Sequence, residues 1–327
     1  MAKRIGIVGG GAAGFFAALS AAESIDAGNI QIFEATKKPL AKVLISGGGR
    51  CNVTNSTLNP RELAASYPRG SKELLGPFHR FGVQETVAWF EKRGVELKVE
   101  SDGRVFPVTD NSSTIANCLK SAVNKAQVSI RTGQKIVQLR DDSEELIITF
   151  QNGEKESFQH VILATGGSRG GFALASQLGH TIVPLVPSLF TFEIADELLT
   201  DLSGISFQNV ALELLVAGKR FKRRGPMLIT HWGLSGPAII QLSSLAAREL
   251  HECTYRGTLT VSFLPEESEE SLLNWLATEQ QSSPKKELLA FAPEGIPKRF
   301  WERVLCLNGL DPKIRIHDVS SKLLRKT

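Results

Sequence analysis

The sequence predicts an α/β fold that begins with a dinucleotide-binding strand–helix–strand unit of the Rossmann type. Three observations near the N-terminus carry this prediction. The β-branched run Arg4–Val8 predicts a strand, and a Gly-x-Gly-x-x-Gly motif follows it directly. The alanine-rich segment Ala12–Glu23 contains no proline and predicts a helix. Asn29–Phe33 predicts a second strand, so strand, turn, helix and strand fit within the first 34 residues.

Each glycine of the motif has a physical role in this unit. Gly9 permits the tight turn, Gly11 lets the backbone approach a pyrophosphate, and Gly14 lets the helix pack close to the sheet. The start of the helix, with Ala13 in its first turn, presents free N–H groups and a positive dipole end to the phosphates. The alternative, a merely structural glycine-rich turn, is disfavoured by the elements around it.

Glu34 closes the unit 20 residues after Gly14, where an acidic side chain accepts hydrogen bonds from ribose hydroxyls. Its negative charge also disfavours a 2′-phosphate at that place. The motif alone does not distinguish FAD from NAD.

The loop Ser46–Asn55 favours FAD. Its three consecutive glycines allow a close approach of the backbone, and its polar and basic side chains suit a flavin edge and ribityl or phosphate groups. An ordinary polar surface loop is the alternative. The candidate cofactor-binding residues here are Lys42, Ser46, Gly47, Gly48, Gly49, Arg50, Asn52, Thr54 and Asn55.

The remaining elements follow from periodicity and turn residues. Pro184 and Pro187 bracket a predicted domain crossing, which gives a first part over 1–187 and a second over 188–327. Predicted helices are 84–93, Thr114–Lys125 and Ser235–Leu250, with mostly helical structure after Pro265. Predicted strands are Glu96–Pro107 (a hairpin), Val128–Leu139, Glu145–Phe150, Ser157–Leu163, Phe190–Ile194, Val210–Val216 and Leu259–Phe263.

Composition excludes several classes of protein. The 327 residues are 42% hydrophobic and 22% charged, and the net charge of +4 is too small for a protein that mainly coats nucleic acid. The four cysteines form no C-x-x-C pair and no zinc-type cluster, so we expect no metal site and a reducing, cytoplasmic location. No apolar run is long enough for a bilayer, and the N-terminal glycines disfavour a signal peptide.

Four features allow both a structural and a functional interpretation. Cys51 is either a buried small side chain, which is favoured, or a redox partner of the flavin. His231 either precedes a helix capped by Ser235 and packed by Trp232, which is favoured, or acts as an acid near the flavin.

The other two features are basic. The run 219–224 holds five basic residues in six, which favours a solvated hairpin over RNA or phosphate binding. Arg104 lies at a hairpin tip, where it is either a surface arginine or a ligand for an anionic substrate group.

The loop and five further motifs resemble those of the BaiN/YhiN-like flavoproteins. This family is also called the aminoacetone oxidase family of FAD-binding enzymes, or NAD(P)/FAD-dependent oxidoreductases. The similarity covers nearly the whole chain. The motifs are 42–55, Gly103-Arg104-Val105-Phe106-Pro107, Ala164-Thr165-Gly166-Gly167, Gly179-His180-Thr181, Pro187-Ser188-Leu189 and 229–237.

This resemblance implies a glutathione-reductase-like FAD-binding Rossmann domain with an inserted α+β domain. By the resemblance, Glu34 holds the adenosine ribose and the 46–55 loop lies along the flavin. The backbone at Ile136-Val137 meets the adenine, and Thr165-Gly166 passes near the pyrophosphate. The family's closing segment, which carries a Gly-Glu-rich flavin-contacting motif, has no counterpart after Pro265.

We therefore expect an FAD-dependent oxidoreductase. It would transfer hydride through the flavin between NAD(P)H, or a substrate, and an unsaturated or carbonyl-containing small molecule. The missing segment raises an alternative, a truncated, non-catalytic remnant or half of a split flavoenzyme. An NAD-dependent dehydrogenase and an RNA-associated flavoprotein are weaker alternatives. A small-molecule substrate is expected, a membrane partner is not, and nucleic acid is disfavoured.

Overall fold

The computed structural model describes residues 3–320 and residue 323, and the chain divides into two compact units between Pro184 and Leu185. Each unit has its own hydrophobic core. Within the described residues, no helix combines the length and the apolar character needed to span a bilayer.

The first unit is built around a parallel sheet. Its elements in chain order are β1 (Ile5–Val8), α1 (Ala12–Ala22), β2 (Ile30–Glu34), α2 (Ala41–Ile45), β3 (Thr54–Asn55), α3 (Pro60–Ala65), α4 (Ser71–Arg80), α5 (Val83–Glu91), β4 (Leu97–Val99), β5 (Arg104–Pro107), α6 (Ser112–Lys125), β6 (Ser129–Thr132), β7 (Ile136–Asp141), β8 (Leu146–Phe150), β9 (Lys155–Phe158), β10 (His160–Leu163) and α7 (Arg169–Gln177).

The parallel sheet has the strand order β10-β1-β2-β6 and is covered on both faces. All four residues of β1 are buried, as expected for the central strand of a covered parallel sheet. On one face, Phe15 and Ala18 of α1 pack with Ile32 of β2. On the other face, Phe33 packs with Phe158 and the rest of the antiparallel sheet β7-β8-β9. The α/β class with a Rossmann-type parallel sheet is confirmed.

A small antiparallel sheet, β3-β5-β4, supports the loop that follows α2. Beside it, α6 begins at an Asn111 cap and buries Ile115, Leu119 and Val123, which lie on one helical face. The hydroxyl of Ser112 donates a hydrogen bond to the Leu44 carbonyl at 2.6 Å. These contacts fix the end of α2 before the loop begins.

The second unit contains an antiparallel sheet of order β11-β14-β13-β12-β15 with helices packed on it. Alternate residues of β12 are buried, which is the pattern of a sheet with one covered face. Its elements are β11 (Phe192–Glu193), β12 (Ser206–Val216), β13 (Lys219–Thr230), β14 (Gly233–Ser235), α8 (Pro237–Leu245), α9 (Ala247–Glu252), β15 (Thr258–Ser262), α10 (Glu269–Ser282) and α11 (Lys298–Leu307).

Two predicted strands are each divided between two sheets. The predicted strand Val128–Leu139 becomes β6 and β7, because the intervening amides of Gly133 and Gln134 bond to the end of β2 instead. The predicted strand Ser157–Leu163 becomes β9 and β10, which separate at Gln159. The Gln159 carboxamide oxygen accepts the amide of Arg4 at 2.7 Å, which moves the chain from the antiparallel to the parallel sheet.

The predicted helix Ser235–Leu250 is wrong at its start and in its middle. Ser235 belongs to β14, and the helix begins at Pro237 after Gly236, so the predicted serine cap is absent. A Cβ atom at Gly236 would lie 3.0 Å from the Met227 Cα, which explains the glycine at the strand–helix junction. A break at Ala246 separates α8 from α9.

Replacement of Gly14 by alanine should destabilise the first unit. Gly14 packs directly against the Gly9 carbonyl, and an added Cβ would overlap it. We expect G14A to lower the free energy of unfolding by about 2 kcal/mol or more, as overpacking does. Urea unfolding followed by circular dichroism measures this. G11A is the matched control, because no atom of the described residues lies within 4 Å of a Cβ at Gly11. Equal losses for G14A and G11A would contradict the packing argument.

The Glu85 carboxylate at the N-terminus of α5 should make the free energy of unfolding depend on pH in the acid range. The Glu85 carboxylate accepts the Gly82 amide at 2.8 Å, and backbone hydrogen bonds from Glu85 itself and Gly82 lower its pKa from the ordinary 4.5. Because its pKa is lower in the folded protein, the Glu85 carboxylate stabilises the fold fully at pH values above its ordinary pKa. This stabilisation is lost as the pH falls through the lowered folded-state pKa. Denaturant titrations at pH 7 and at pH 3.5 should therefore differ less for E85Q than for the parent chain. An unchanged difference would contradict this role.

Candidate dinucleotide-binding site

The turn after β1 brings three strand ends together. The Gly9 amide donates to the Phe33 carbonyl at the end of β2 with a distance of 2.8 Å. A Cβ at Gly9 would overlap the Ala164 carbonyl, just past the end of β10. The backbone at Gly9 has φ +117°, which only glycine adopts without strain. The turn therefore lies at the carboxyl edge of the parallel sheet, where ligands bind in open α/β folds.

Free amide groups face this edge from the start of α1. Gly11 is the N-cap residue, no side chain caps the helix, and its first turn contains no acidic residue. The first turn, including Ala12 and Ala13, is exposed up to Gly14. Among residues 3–320 and 323, no atom lies within 4 Å of a Cβ placed at Gly11. An uncapped, accessible helix start beside an open space fits a pyrophosphate, which would accept these N–H groups.

Glu34 lies at the same edge and already shapes it. One carboxylate oxygen accepts the Gly10 amide at 2.9 Å, and the other accepts the amide and the hydroxyl of Thr36, each at 2.8 Å. A Cβ at Gly10 would lie 2.8 Å from the Glu34 Cβ. The oxygen that accepts the Gly10 amide retains an unused lone pair, which can accept a ribose hydroxyl. Sequence reasoning missed Gly10, although a glycine between two motif glycines was the visible signal.

The segment after β10 closes the opposite side of the turn. The Ala164 amide donates to the Val8 carbonyl at 2.8 Å, and Thr165 packs against Gly171 of α7. The Lys42 ammonium lies 4.0 Å from the position that a Cβ of Gly166 would occupy. Lys42 is exposed and, within the described part of the chain, forms no ion pair. A free cation therefore lies beside the predicted pyrophosphate position.

The predicted adenine contact belongs to the same end of the sheet. The Gln134 amide donates to the Glu34 carbonyl at 2.9 Å, and β7 begins two residues later. Val137 is 43% exposed, and its carbonyl accepts a hydrogen bond from the Gln177 carboxamide at 3.3 Å. The chain thus passes Glu34 three residues before Val137, and the contact of Val137 with the adenine stays a prediction.

The loop after α2 contains a left-handed turn of three glycines. Gly47, Gly48 and Gly49 have φ of +56°, +67° and +86°, and the Cys51 amide closes the turn on the Ser46 carbonyl at 3.0 Å. In the described part of the chain, no atom lies within 4 Å of a Cβ at Gly48 or Gly49, so their backbone faces open space. Successive amides in such a turn form a concavity suited to a polar or anionic group.

Several polar side chains of the loop bond to the protein itself. Ser46 donates to the Val43 carbonyl at 2.8 Å, and Asn55 accepts the amide and the hydroxyl of Thr57. The Asn52 amide lies between the backbones of Thr54 and Val105. These side chains shape the loop and the short strand β3, and the backbone of the glycine turn stays open.

Both arginines of this region take part in ion pairs. Arg50 pairs with Glu100 at 2.5 Å and with Asp110 at 3.4 Å, and the hydrogen bond to Glu100 raises the pKa of the Arg50 guanidinium above its ordinary value. Arg104 pairs with Asp102 at 2.7 Å and with Glu100 at 3.3 Å. Of the two interpretations of Arg104, the structure therefore shows a surface arginine paired within its own hairpin.

Cys51 and His231 lie in different surroundings. Cys51 is buried, and burial raises the pKa of its thiol against a smaller opposing effect of the Ser46 hydrogen bond. A buried thiol of raised pKa is a poor nucleophile, in agreement with the packing interpretation. His231 lies in the second unit, in an exposed turn between β13 and β14. Trp232 beside it is 58% exposed, so the predicted packing of this tryptophan is wrong.

The basic run forms the first half of β13 in a hairpin with β12, as the favoured interpretation predicts. Acidic neighbours neutralise much of its charge. Glu213 pairs with Arg220 and Lys222, and the hydrogen bond from Lys222 lowers the Glu213 pKa. Arg224 pairs with Glu266, and Lys219 pairs with Glu249.

Comparison with known proteins gives consistent relatives. The chain is 29% identical over 316 residues to the 3-dehydro-bile acid delta(4,6)-reductase of Clostridium scindens, a match that covers 94% of this chain and 76% of the relative. It is also 29% identical over 309 residues to the ribosomal RNA dihydrouridine synthase of Haemophilus influenzae, with 90% and 72% covered. This chain therefore spans about three quarters of these relatives' length.

Among solved structures, a 3-ketosteroid-delta4-(5alpha)-dehydrogenase from Rhodococcus jostii is similar with a TM-score of 0.41 and 13% identity. That match covers 63% of this chain and 59% of the other.

A family model described as the HI0933-like protein Rossmann domain matches residues 3–272, most of the chain. This match confirms the resemblance to the BaiN/YhiN-like flavoproteins, and with the relatives it supports a flavin-dependent oxidoreductase family. The chain belongs to the HI0933-like Rossmann-domain family.

Proposed function

We propose that this chain is an FAD-dependent reductase of carbon–carbon double bonds that are conjugated to a carbonyl group. The observation that carries the proposal is the uncapped α1 N-terminus beside Glu34 at the edge of the parallel sheet, with the three-glycine turn following α2 along the chain. A hydrogen bond from the Leu40 amide to the Gly10 carbonyl, at 2.8 Å, joins the first motif to the segment that leads into the second.

The site suits FAD in extent and in chemistry. Glu34 and the backbone near Val137 would hold the adenosine end, and the α1 N-terminus would bind the pyrophosphate with Lys42 as its cation. The open backbone of Gly48 and Gly49 would lie along the flavin. An NAD molecule would account for the first motif but would leave the three-glycine turn without a role.

When bound, FAD would supply the hydride-transfer chemistry between NAD(P)H and the acceptor, and the reduced double bond would take its second hydrogen as a proton from solvent. The residues described at the site bind and orient the cofactor, and none forms a nucleophile–base pair. Cys51 is buried with a raised thiol pKa, which argues against a second redox centre at the loop. The protein's contribution is therefore placement and electrostatics.

The acceptor class rests on what the relatives' names have in common. A 3-dehydro steroid with double bonds at positions 4 and 6 has those bonds conjugated to its carbonyl. The uracil ring of uridine has a double bond conjugated to a carbonyl, and its reduction gives dihydrouridine. Both reactions add hydrogen across an electron-poor double bond, which agrees with the unsaturated, carbonyl-containing acceptor expected from the sequence.

A uridine within RNA is a second candidate acceptor, favoured by the basic strand β13 in addition to the relative's name. Arg223 is exposed and, among the described residues, has no ion-pair partner. The pairs with Glu213, Glu249 and Glu266 nevertheless cancel much of the remaining charge. RNA binding depends on uncompensated positive charge, so we favour the small molecule.

The purified chain should bind FAD through the α1 N-terminus. We expect a flavin absorption spectrum after incubation with FAD, and G11A should weaken FAD binding by about tenfold or more without loss of stability. The cause is the Cβ placed between the helix amides and the pyrophosphate. Fluorescence titration with FAD measures the dissociation constant.

G28A is the matched control for this titration, because a Cβ there makes only an ordinary contact with Asp26 at 3.5 Å. A parent chain that stays colourless with FAD contradicts the proposed function. Equal affinities for G11A and G28A contradict the proposed position of the pyrophosphate.

A steady-state assay should separate the two acceptor classes. NAD(P)H oxidation by the FAD-loaded chain should be stimulated by a steroid dienone and not by a uridine-containing RNA. We expect the rate with the steroid to be independent of salt concentration and unchanged in R223Q, because a small molecule does not need β13 for binding. Stimulation by RNA that falls with added salt and in R223Q would instead select the second candidate. Stimulation by neither acceptor would contradict the acceptor class.

A further inference from the structure

Arg50 belongs to the cofactor loop, but its guanidinium is engaged elsewhere. Its two terminal nitrogens meet the two carboxylate oxygens of Glu100 at 2.5 and 3.5 Å. A third contact, to Asp110, measures 3.4 Å. Arg50 and Glu100 are one third and one quarter exposed, so this two-point ion pair is partly shielded from solvent. Planar two-point pairing fixes the direction of an arginine as well as its distance.

The ring of Phe106 supports both ends of the three-glycine turn. Phe106 is fully buried, and its edge would lie 3.0 Å from a Cβ at Gly47, the first glycine of the turn. The Arg50 guanidinium lies over the same ring, 4.0 Å from its centroid. A cation over an aromatic face is attracted by the ring's quadrupole. Gly47 and Arg50, which flank Gly48 and Gly49, thus both lie against the Phe106 side chain.

The turn needs support of this kind. Three consecutive glycines lose more conformational entropy on ordering than any other tripeptide. Within the turn, the Arg50 amide lies 3.4 Å from the Gly47 carbonyl, so the shorter bond from Cys51 to Ser46 is the main closure of the backbone. Side-chain contacts from outside the turn must therefore supply part of its order.

We propose that Glu100 is a positioning residue: through Arg50 stacked on Phe106, it holds the three-glycine turn in the shape that receives the flavin. Arg50 is then a part of the support and not a ligand of the cofactor, and Lys42 is the loop's free cation. The proposal rests on the proposed function for the identity of the cofactor. The order of the turn itself does not depend on that function.

The role of Arg50 decides what removal of the Glu100 charge does to FAD binding. An arginine that touched the flavin directly would be restrained by Glu100, and removal of Glu100 would free it to bind more strongly. An arginine that serves as a support loses its role when Glu100 is removed. The two arrangements therefore predict opposite effects of the same substitution on FAD affinity.

The first test uses the full chain without cofactor. Hydrogen–deuterium exchange of a peptide covering residues 46–52 should become roughly five- to tenfold faster in E100Q and in R50Q. D142N is the control: it removes the exposed ion pair between Arg140 and Asp142 at another hairpin, and it leaves Arg50, Glu100 and Phe106 untouched. Exchange that is unchanged in E100Q and R50Q, or equally faster in D142N, would overturn the proposal. This result is independent of FAD binding, so it cannot be confused with failure of the proposed function.

The second test is a double-mutant cycle on FAD affinity. E100Q and R50Q should each weaken FAD binding by about tenfold or less, and the double variant should be no weaker than either one, because they disable the same support. The visible circular dichroism of bound flavin should change alike in all three, which a general loss of stability would not produce. Tighter binding by E100Q, or losses that add in the double variant, would overturn the positioning role.

Discussion

The contact between Gly14 and the Gly9 carbonyl is the constraint on which the rest of the first unit depends. It lets α1 start immediately behind the turn, so its free amides point to the edge where β1, β2 and β10 end. The same close approach leaves room for Glu34 to accept the Gly10 amide. A side chain at either glycine would separate the helix from the sheet and scatter groups that the chain now gathers at one edge.

Local patterns account for what could be predicted. The strand–turn–helix–strand unit depends on nearby residues and on glycine positions. The observed bounds of β1, α1 and β2 lie within one residue of the predicted bounds. The Lys42 ammonium also lies beside Gly166, so two of the predicted motifs meet at this edge. These features could be predicted because each motif carries its own backbone requirement and strand ends gather at one edge of a parallel sheet.

Long-range contacts account for what could not be predicted. Arg50 and Glu100 are fifty residues apart, and no local pattern pairs them. The division of Ser157–Leu163 at Gln159 is hidden because the chain stays extended while it changes sheets, and side-chain alternation does not reveal which sheet a strand joins. The exposed Trp232 is a similar case, since its place in a two-residue turn depends on the pairing of β13 with β14.

Glu34 illustrates how closely recognition and backbone structure are joined here. Its carboxylate already accepts three donors from Gly10 and Thr36, in addition to any hydroxyl that a ligand would offer. An apolar or basic replacement would leave those donors without their acceptor at the tightest part of the turn, and a carboxamide could accept at only one of its two ends. Adaptation of this chain to a differently charged nucleotide would therefore require coordinated changes at several positions, which makes the acidic residue hard to lose by single evolutionary steps.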